Sequence, residues 1–591
     1  MRDALRRLKG WWPWALVVGA LGLVYGHSLA MHIARGFDPY IFNDDARQQI
    51  YPLFRYADSS LFPNDYIADY YLACLPLGFR ALYALSAPLL DPAVSSKAVT
   101  YLMLLLTVTG LGAAANKLGG KAAAWGAMAL TLGASLYLDR MGGGLPRAFA
   151  FPILAWALVA LSYGRMKWLA VLVWLGAAFY PVAGVVVGLS AALVVLALPA
   201  CDRGDARDWG LRRRIGYLAV VVAVSGALLL PTVVTSSKYG PVLTADDVTQ
   251  YPEAGPGGRY APNSRAPFDS FFQNAETAIA RGFIGVGRPW IGPVYRWVNA
   301  GESPRAASNP RSAILKIIAM FTAMGWVLFA ASSCAARRVL LLGLAALVGY
   351  SIACSVAPYF YLPTRYTNYP MPLLAALMAS TAVAGFSSLS EKLGSKSTGP
   401  AAQRTSSERP FQVVLTFVFC GFMLITVGGR GSHTAGLNVD TTRDAPLYDT
   451  IARLPVDAVI AGWPGTAIEN VPYVSRRTAF VTLETHQAFH QQYVDVMRKR
   501  MRALIDASLA TSTEPLIRLR DAYGVTHMLV YLPHLRGAPF KYFRPFNRWI
   551  ADAQRKRGGK PLLLKELVDQ GGAYRRGAYA IIDLREVRRL R

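Results

Sequence analysis

Carboxylates and arginines crowd the first polar stretch of the chain, which reads FDPYIFNDDARQQIYPLFRYADSSLFPNDYIAD from Phe37 to Asp69. It holds two adjacent acids, Asp44 and Asp45, and Arg47 follows them closely. A carboxylate can deprotonate or orient an acceptor hydroxyl or amine. An arginine can neutralise a departing phosphate through two parallel hydrogen bonds. Such an insert beside an apolar segment predicts chemistry at a membrane surface.

The composition predicts a polytopic α-helical membrane protein. Of 591 residues, 53% are hydrophobic and 16% are charged, and several apolar runs approach the roughly 20 residues that cross a bilayer. We expect about 11 transmembrane helices, at 11–31, 97–116, 121–138, 148–163, 168–200 (two short helices, broken at Tyr180-Pro181), 215–235, 313–333, 339–357, 370–387 and 411–428. The segment 66–90 is interpreted as interfacial or re-entrant helix, with a full span as the alternative.

The net charge of +27 does not indicate a nucleic-acid partner, because much of the Lys and Arg lies in short loops between apolar runs. Such loops stay on the cytoplasmic side. This places the N-terminus in the cytoplasm and predicts a transmembrane domain over 1–428, with external loops at 32–96 and 236–311. The five cysteines lack CxxC spacing, so neither a disulfide framework nor a zinc site is supported.

The pattern changes after residue 428, which predicts a soluble extracytoplasmic α/β domain over 429–591. Strand-like runs (DAVIAGW, RTAFVTL, THMLVYL and AYAIIDL) alternate with helical stretches at 447–453, 493–509, 514–523 and 543–556. His486 and His490 have the i, i+4 spacing of two metal ligands on one helix face. Because no third ligand is evident, a hydrogen-bonding or surface role is favoured over metal binding.

The predicted outer face collects more chemistry. Asp139, Arg140 and Arg147 lie between the third and fourth spans, and Arg365 lies in the loop YLPTRYTNYP. The turn GGGLP precedes Arg147, and glycines let backbone approach a ligand closely. Each residue also has a structural interpretation. Asp44 could cap a helix that begins at Ala46. Asp139 and Arg140 could be interfacial residues that end a helix, and Arg365 could form a structural ion pair.

This layout resembles the GT-C superfamily of membrane glycosyltransferases, which use polyprenyl-phosphate or polyprenyl-diphosphate sugar donors. The resemblance rests on an acidic pair in a large first external loop, a further acid after span three, and a soluble domain after the last span. It implies that Asp44 or Asp45 acts as base or acceptor-orienting carboxylate and that Asp139 is a second acid. It further implies donor-phosphate contacts from Arg47, Arg140, Arg147 and Arg365.

No WWDYG-like signature follows the last span, which weakens the resemblance to the oligosaccharyltransferase branch and its metal requirement. No metal ligands are assigned, and a divalent cation stays an alternative. The expected function is hexosyl or pentosyl transfer from a polyprenyl-linked donor to a glycan, lipid or protein acceptor, outside a bacterial inner membrane. A transporter or flippase for lipid-linked glycans would carry ionisable residues within its spans, and these spans are nearly free of charge. A non-catalytic scaffold is the other alternative.

Overall fold

The computed structural model describes residues 25–259, 326, 329–330, 333–355, 363–381 and 434–587. Several sequence predictions therefore lie wholly or largely outside the described residues, namely the first part of span 11–31, most of span 313–333, span 411–428 and loop 236–311 beyond residue 259.

Helices dominate the described residues up to 381. They are α1 (25–36), α2 (Ala46–Gln49), α3 (Tyr66–Cys74), α4 (Leu77–Ser86), α5 (Pro92–Gly133), α6 (Ser135–Met141), α7 (Ala150–Tyr163), α8 (Met166–Phe179), α9 (Pro181–Ala197), α10 (Leu211–Ser237), α11 (Cys334–Ser355), α12 (Arg365–Asn368) and α13 (370–381). Four helices within the described ranges are long and apolar enough to cross a membrane, at Pro92–Gly133, Pro146–Tyr163, Leu211–Ser237 and Cys334–Cys354. The mostly helical architecture is confirmed, and the number of about 11 spans stays a prediction.

Glycine and proline break the apolar runs where the sequence predicts. Gly120, in the turn NKLGGK, has φ 78° and ψ −172° inside α5, so this element consists of two helices. Tyr180 is extended, and Pro181 begins α9 directly after it. A proline at a helix start loses nothing, because that N–H has no intrahelical partner. The break at Tyr180-Pro181 is therefore confirmed.

The segment 66–90 forms two short helices. α3 has 9 residues and α4 has 10, so each extends about 14 Å at 1.5 Å per residue, well short of the roughly 30 Å hydrocarbon core. Asp65 caps α3, since its carboxylate accepts from the amides of Ile67 at 2.9 Å and Ala68 at 3.2 Å. Neither helix is long enough for the alternative of a full span.

The C-terminal region contains a five-stranded mixed sheet. Its elements are β3 (Val459–Gly462), β4 (Thr478–Ala479), β5 (His527–Tyr531), β6 (Tyr574–Arg576) and β7 (Tyr579–Asp583), with α14 (Ala445–Ala452), α15 (Gln491–Ser508), α16 (Glu514–Tyr523), α17 (Leu532–Leu535), α18 (Phe546–Arg557) and α19 (Leu563–Asp569). The strand order is β4-β3-β5-β7-β6. β3 pairs parallel with β4 and β5, whereas β7 is antiparallel to β5 and β6. All four predicted strands are confirmed, and β6 is an addition.

The first polar stretch packs between the helices and this sheet. β1 (Ile41–Phe42) pairs antiparallel with β2 (Val439–Asp440), which precedes the C-terminal region. Buried rings extend the contact, with Phe42 and Tyr473 centroids 4.5 Å apart and Tyr70 stacked on Tyr493 at 3.7 Å. Burial of large rings contributes substantially to packing. The two parts of the chain are therefore joined at the acidic stretch, while the boundary at 428/429 stays a prediction.

Candidate functional site

Asp44 and Asp45 directly follow β1, and a segment almost 400 residues away along the chain holds them in position. The Asp44 amide donates to Oδ1 of Asn438 at 2.9 Å. Its neighbour Asn43 donates from Nδ2 to the carbonyl of Gly436 at 3.0 Å. The acidic pair is thus attached to the segment that leads into the C-terminal sheet.

A glycine turn after α6 packs backbone against backbone at the same place. Gly143 and Gly144 have φ values of 81° and 57°, a left-handed conformation that strains other residues. A Cβ atom on Gly142 would lie 2.7 Å from the Gly436 carbonyl oxygen, and one on Gly144 would collide with the Ser96 carbonyl. The turn therefore brings the arginine that follows it close to the acidic pair.

We expect Gly144→Ala to lower the melting temperature strongly. The left-handed backbone alone costs about 1–3 kcal/mol, and the collision with the Ser96 carbonyl adds to it. Gly524→Ala is the matched control, because Gly524 has a left-handed backbone with a similar φ of 69° but no atom within 4 Å of the added Cβ. Thermal unfolding of both variants in detergent separates the two contributions. Equal melting temperatures would show that the close approach at Gly144 is not required.

Arg147 connects the glycine turn to the acidic pair. Its Nη1 forms an ion pair with Oδ2 of Asp45, and its Nη2 donates to Oδ1 of Asn43 at 3.1 Å. Its Nε donates to the Arg140 carbonyl at 3.3 Å. The side chains of Arg147 and Asp45 are 15% and 21% exposed. A predicted phosphate ligand and a predicted acid therefore share one partly buried pair.

The two adjacent acids have different surroundings. The Asp45 carboxylate accepts from Gln48 Nε2 at 2.8 Å as well as from Arg147. Within the described part of the chain, the Asp44 carboxylate accepts only the amide of Asp45, at 3.0 Å, and no cation there forms an ion pair with it. The helix α2 begins at Ala46 with Asp45 in the N-cap position and no side-chain capping bond. The alternative that Asp44 caps this helix is therefore wrong.

Arg47 joins the acidic stretch to the C-terminal region. Its Nε donates to the Asp44 carbonyl at 3.0 Å, and its Nη1 donates to Oδ1 of Asn470 at 3.2 Å. Its Nη2 lies 3.3 Å from Glu484 Oε1, and Arg259 Nη2 lies 3.4 Å from the other oxygen of Glu484. The predicted phosphate ligand Arg47 is thus engaged with two residues of the sheet region.

Burial raises the pKa of Glu484 above its usual value of 4.5, although Arg47 and Arg259 act in the opposite direction. The folded protein therefore binds this proton more tightly than the unfolded chain does. Stability then falls as pH rises from about the ordinary glutamate pKa through the raised one. The ion pairs of Glu484 do not fully offset the cost of burying its charge.

We expect Glu484→Gln to have the same melting temperature as the unchanged protein near pH 4 and a higher one near pH 7. Glutamine resembles the protonated acid, so the two proteins differ only where Glu484 is ionised in either state. Thermal unfolding between pH 4 and pH 7 measures this difference, with the exposed Glu566→Gln as control. A difference that stays constant across this range would contradict the raised pKa.

The other predicted residues surround the same turn at different depths. Asp139 and Arg140 are 56% and 44% exposed, with their charged groups 4.0 Å apart. The Asp139 carbonyl would lie 3.1 Å from a Cβ on Gly436, so its backbone abuts the segment that holds Asp44. Arg365 begins α12, close enough for its charge to act on Arg147. The predicted residues therefore gather around one turn, with the Asp139 side chain at the exposed edge.

The two histidines each lie within hydrogen-bond distance of a tyrosine hydroxyl, His486 inside the C-terminal region and His490 across the contact with α3. Residues 481–490 are not helical, so the two histidines do not share the helix face that the disfavoured metal-binding alternative required. His486 Nδ1 lies 3.1 Å from the Tyr542 hydroxyl, and His490 Nδ1 lies 2.9 Å from the Tyr70 hydroxyl. Burial lowers the pKa of His486 to about 3. Within the described ranges, no group of three His, Cys, Asp or Glu could hold a metal ion.

Sequence reasoning missed several residues of the site, which include Asn43, Gln48, Lys97 and Glu484. Lys97 is 8% exposed and donates from Nζ to the Asp38 carbonyl at 2.6 Å, and it lines a small cavity together with Asn43. A lysine at the start of an apolar span is costly unless it has a role, which was an available signal. The sequence around Glu484 gives no such signal, because only its ion pairs with residues far away along the chain distinguish it from other glutamates.

Comparison with known proteins identifies solved structures that share this architecture. No family model and no curated protein matches the chain. Among solved structures, ArnT from Cupriavidus metallidurans in the apo state is 13% identical, with a TM-score of 0.50 over 96% of this chain and 98% of ArnT. This chain has the GT-C fold. The resemblance to that superfamily is therefore confirmed at the level of the fold.

Two further structures with lower TM-scores also match the chain. ArnT bound to undecaprenyl phosphate is 14% identical, with a TM-score of 0.43 over 96% of this chain and 98% of ArnT. The oligosaccharyltransferase AglB from Archaeoglobus fulgidus, in complex with an inhibitory peptide and a dolichol-phosphate, is 12% identical. Its TM-score is 0.47 over 88% of this chain and 70% of AglB.

Proposed function

We propose that this GT-C chain is an integral membrane glycosyltransferase that moves a sugar from a polyprenyl-phosphate or polyprenyl-diphosphate donor to an acceptor. The observation that carries the proposal is the Asp44 carboxylate, which has no cation partner in the described ranges yet adjoins the Arg147–Asp45 pair. A basic oxygen and a phosphate-binding cation thus lie side by side. The fold shared with ArnT, a polyprenyl-phosphate-dependent glycosyltransferase, supports the donor class.

Asp44 is assigned as the base that deprotonates or orients the acceptor. The acceptor oxygen or nitrogen forms a bond to the anomeric carbon while the bond from that carbon to the donor phosphate oxygen breaks. The phosphate keeps the electron pair, and the acceptor proton passes to Asp44. Attack opposite the leaving phosphate inverts the anomeric centre. Because no cation of the described residues forms an ion pair with its carboxylate, Asp44 has lone pairs available for this proton.

Arg147, Arg365 and Lys97 are assigned to the donor phosphate, with Arg140 at the exposed edge. Arg147 uses three of the five N–H donors of a guanidinium group on the contacts described above, so two remain for phosphate. Arg47 receives a positioning role, because its bonds attach the Asp44 backbone to Glu484 and Asn470. Placement and charge neutralisation then supply most of the acceleration.

The remaining assignments concern location and metal use. We place the chain in a bacterial inner membrane, with a cytoplasmic N-terminus and the acidic stretch, Asp139 and domain 429–591 on the extracytoplasmic side. The described residues do not fit a three-ligand metal site, so no step above uses a divalent cation. Parallel assays with hexosyl and pentosyl donors determine which of the two sugar classes the protein transfers.

Reconstituted protein should move label from a polyprenyl-phosphate-linked sugar into a chloroform-insoluble acceptor fraction from bacterial envelopes. Parallel reactions with hexosyl and pentosyl donors, with monophosphate and diphosphate linkages, and with and without EDTA define the donor and the metal requirement. Protein-dependent release of polyprenyl phosphate supports the transferase. Transbilayer movement of intact lipid-linked sugar without its cleavage would replace the proposal with a flippase. Neither activity in folded protein would favour a scaffold.

A further inference from the structure

The segment 536–576 of the C-terminal region carries many exposed cations, which together are called the basic surface. Residues 536–576 contain eleven Lys and Arg against three Asp and Glu. Two of these acids are already paired, Asp552 with Arg555 and Asp569 with Arg575. Most of the remaining cations are exposed. Crowded like charges repel one another, and their summed positive potential attracts a polyanion, whose binding relieves that repulsion.

A concave cavity of about 200 Å³ opens within this basic surface. Arg544 and Arg548 line one side, and the loop after α10 lines the other through Pro252, Gly255 and Pro256. The Arg544 amide donates to the Gly257 carbonyl at 2.9 Å, and the Arg544 Nη1 donates to the Pro256 carbonyl at 3.3 Å. These bonds hold Arg544 against the loop, and Arg548 lines the same pocket, which is large enough for a carboxylate or phosphate on a sugar.

The same loop leads from this cavity to the proposed transfer site. Gly257 contacts Arg544 in the cavity wall, and Arg259, two residues later, pairs with Glu484 at 3.4 Å. Glu484 also pairs with Arg47, whose Nε bonds the Asp44 carbonyl. A ligand held in the cavity is therefore connected to the site through a short series of direct contacts.

We propose that the cavity and the basic surface over 536–576 bind the acceptor, an anionic glycan that carries carboxylate or phosphate groups. This inference rests on the proposed transferase function. A glycan fits better than a bilayer surface because the pocket is concave. A surface that lies in a bilayer also presents several large apolar side chains, whereas Tyr574 is the one exposed large hydrophobic residue within 536–576.

The test measures binding by the full-length protein in nanodiscs of zwitterionic lipid, without donor. The probe is a fluorescent oligogalacturonate, with a neutral malto-oligosaccharide of equal length for comparison. We expect salt-sensitive binding of the carboxylated probe alone. Arg544→Gln together with Arg548→Gln should weaken it at least tenfold. The matched control, Arg443→Gln with Arg453→Gln, removes equal charge from exposed sites elsewhere in the same region and should leave affinity unchanged.

Three outcomes would overturn the proposal: equal binding of the neutral probe, equal losses in both double variants, or unchanged affinity in the cavity variant. The protein could instead bind vesicles containing phosphatidylglycerol, lose that binding in the Arg544→Gln, Arg548→Gln variant, and fail to bind oligogalacturonate. That result would assign the basic surface to lipid. Because the measurement needs no turnover, its failure in a protein that transfers label leaves the transferase standing. Binding of oligogalacturonate by a protein that transfers no label would leave the anionic-glycan site standing and remove the transferase function.

Discussion

Replacing Asp44 with Asn is expected to lower the transfer rate by about 10²–10⁴-fold, the usual contribution of a positioned general base. The carboxylate forms no ion pair with any cation in the described part of the chain, and an asparagine oxygen can still accept the Asp45 amide at this position. The melting temperature should therefore remain unchanged. Transfer of labelled sugar and thermal unfolding, measured on one preparation, check both halves of the prediction.

Asp58→Asn is the matched control for Asp44→Asn, because Asp58 lies in the same polar stretch and, among the described residues, its carboxylate bonds only the nearby Ser60. It should leave both rate and melting temperature unchanged. Asp45→Asn should differ again, lowering stability as well as rate, since it removes the counter-ion of Arg147. Full transfer activity in folded Asp44→Asn protein would remove Asp44 from the mechanism.

Arg147→Ala is expected to impair both folding and transfer. It leaves the partly buried Asp45 carboxylate without its cation, at a cost between about 1 kcal/mol for exposed pairs and 3–5 kcal/mol for buried ones. It also breaks the bonds to Asn43 and the Arg140 carbonyl. We expect a clear fall in melting temperature and a loss of transfer of at least 100-fold, because a developing phosphate charge loses a ligand.

Two variants separate the structural role of Arg147 from its role with donor phosphate. Arg147→Lys keeps the charge beside Asp45 but loses the planar fork, so it should recover much of the stability and little of the rate. Asp45→Asn combined with Arg147→Gln should recover stability relative to Asp45→Asn alone, because neither charge is left unpaired. Recovery of the full rate in Arg147→Lys would show that Arg147 serves only to hold Asp45.

Local patterns predicted the elements well. The break before Pro181 follows from a missing N–H and a fixed φ, both properties of one residue. The strands at Val459–Gly462 and Tyr579–Asp583 follow from short runs of β-branched and aromatic residues. The i, i+4 spacing of His486 and His490 does not correspond to a helix, because residues 481–490 form turns and extended backbone. The favoured hydrogen-bonding role agrees with their contacts to Tyr542 and Tyr70.

The site was predicted only in outline. The acids and arginines near Asp44 were evident, because charge beside apolar spans is conspicuous. Their partners were not, since Asn438 and Glu484 are each separated from the acidic stretch by roughly 400 residues of chain. The difference between Asp44 and Asp45 also depends on which carboxylate Arg147 contacts, and sequence adjacency gives no information about that.

The sequence alone determined the apolar helices, their breaks at Gly120 and Pro181, and the acid pair beside the first span, because these depend on residue type and short-range periodicity. The tertiary structure decided the rest. It paired β1 with β2 and placed the glycine turn against Asn43. Among the described residues, Arg147 forms its ion pair with Asp45, and no cation forms one with Asp44. Contacts between distant segments form only when the whole chain packs, so the distinction between the proposed base and its paired neighbour arises from the fold.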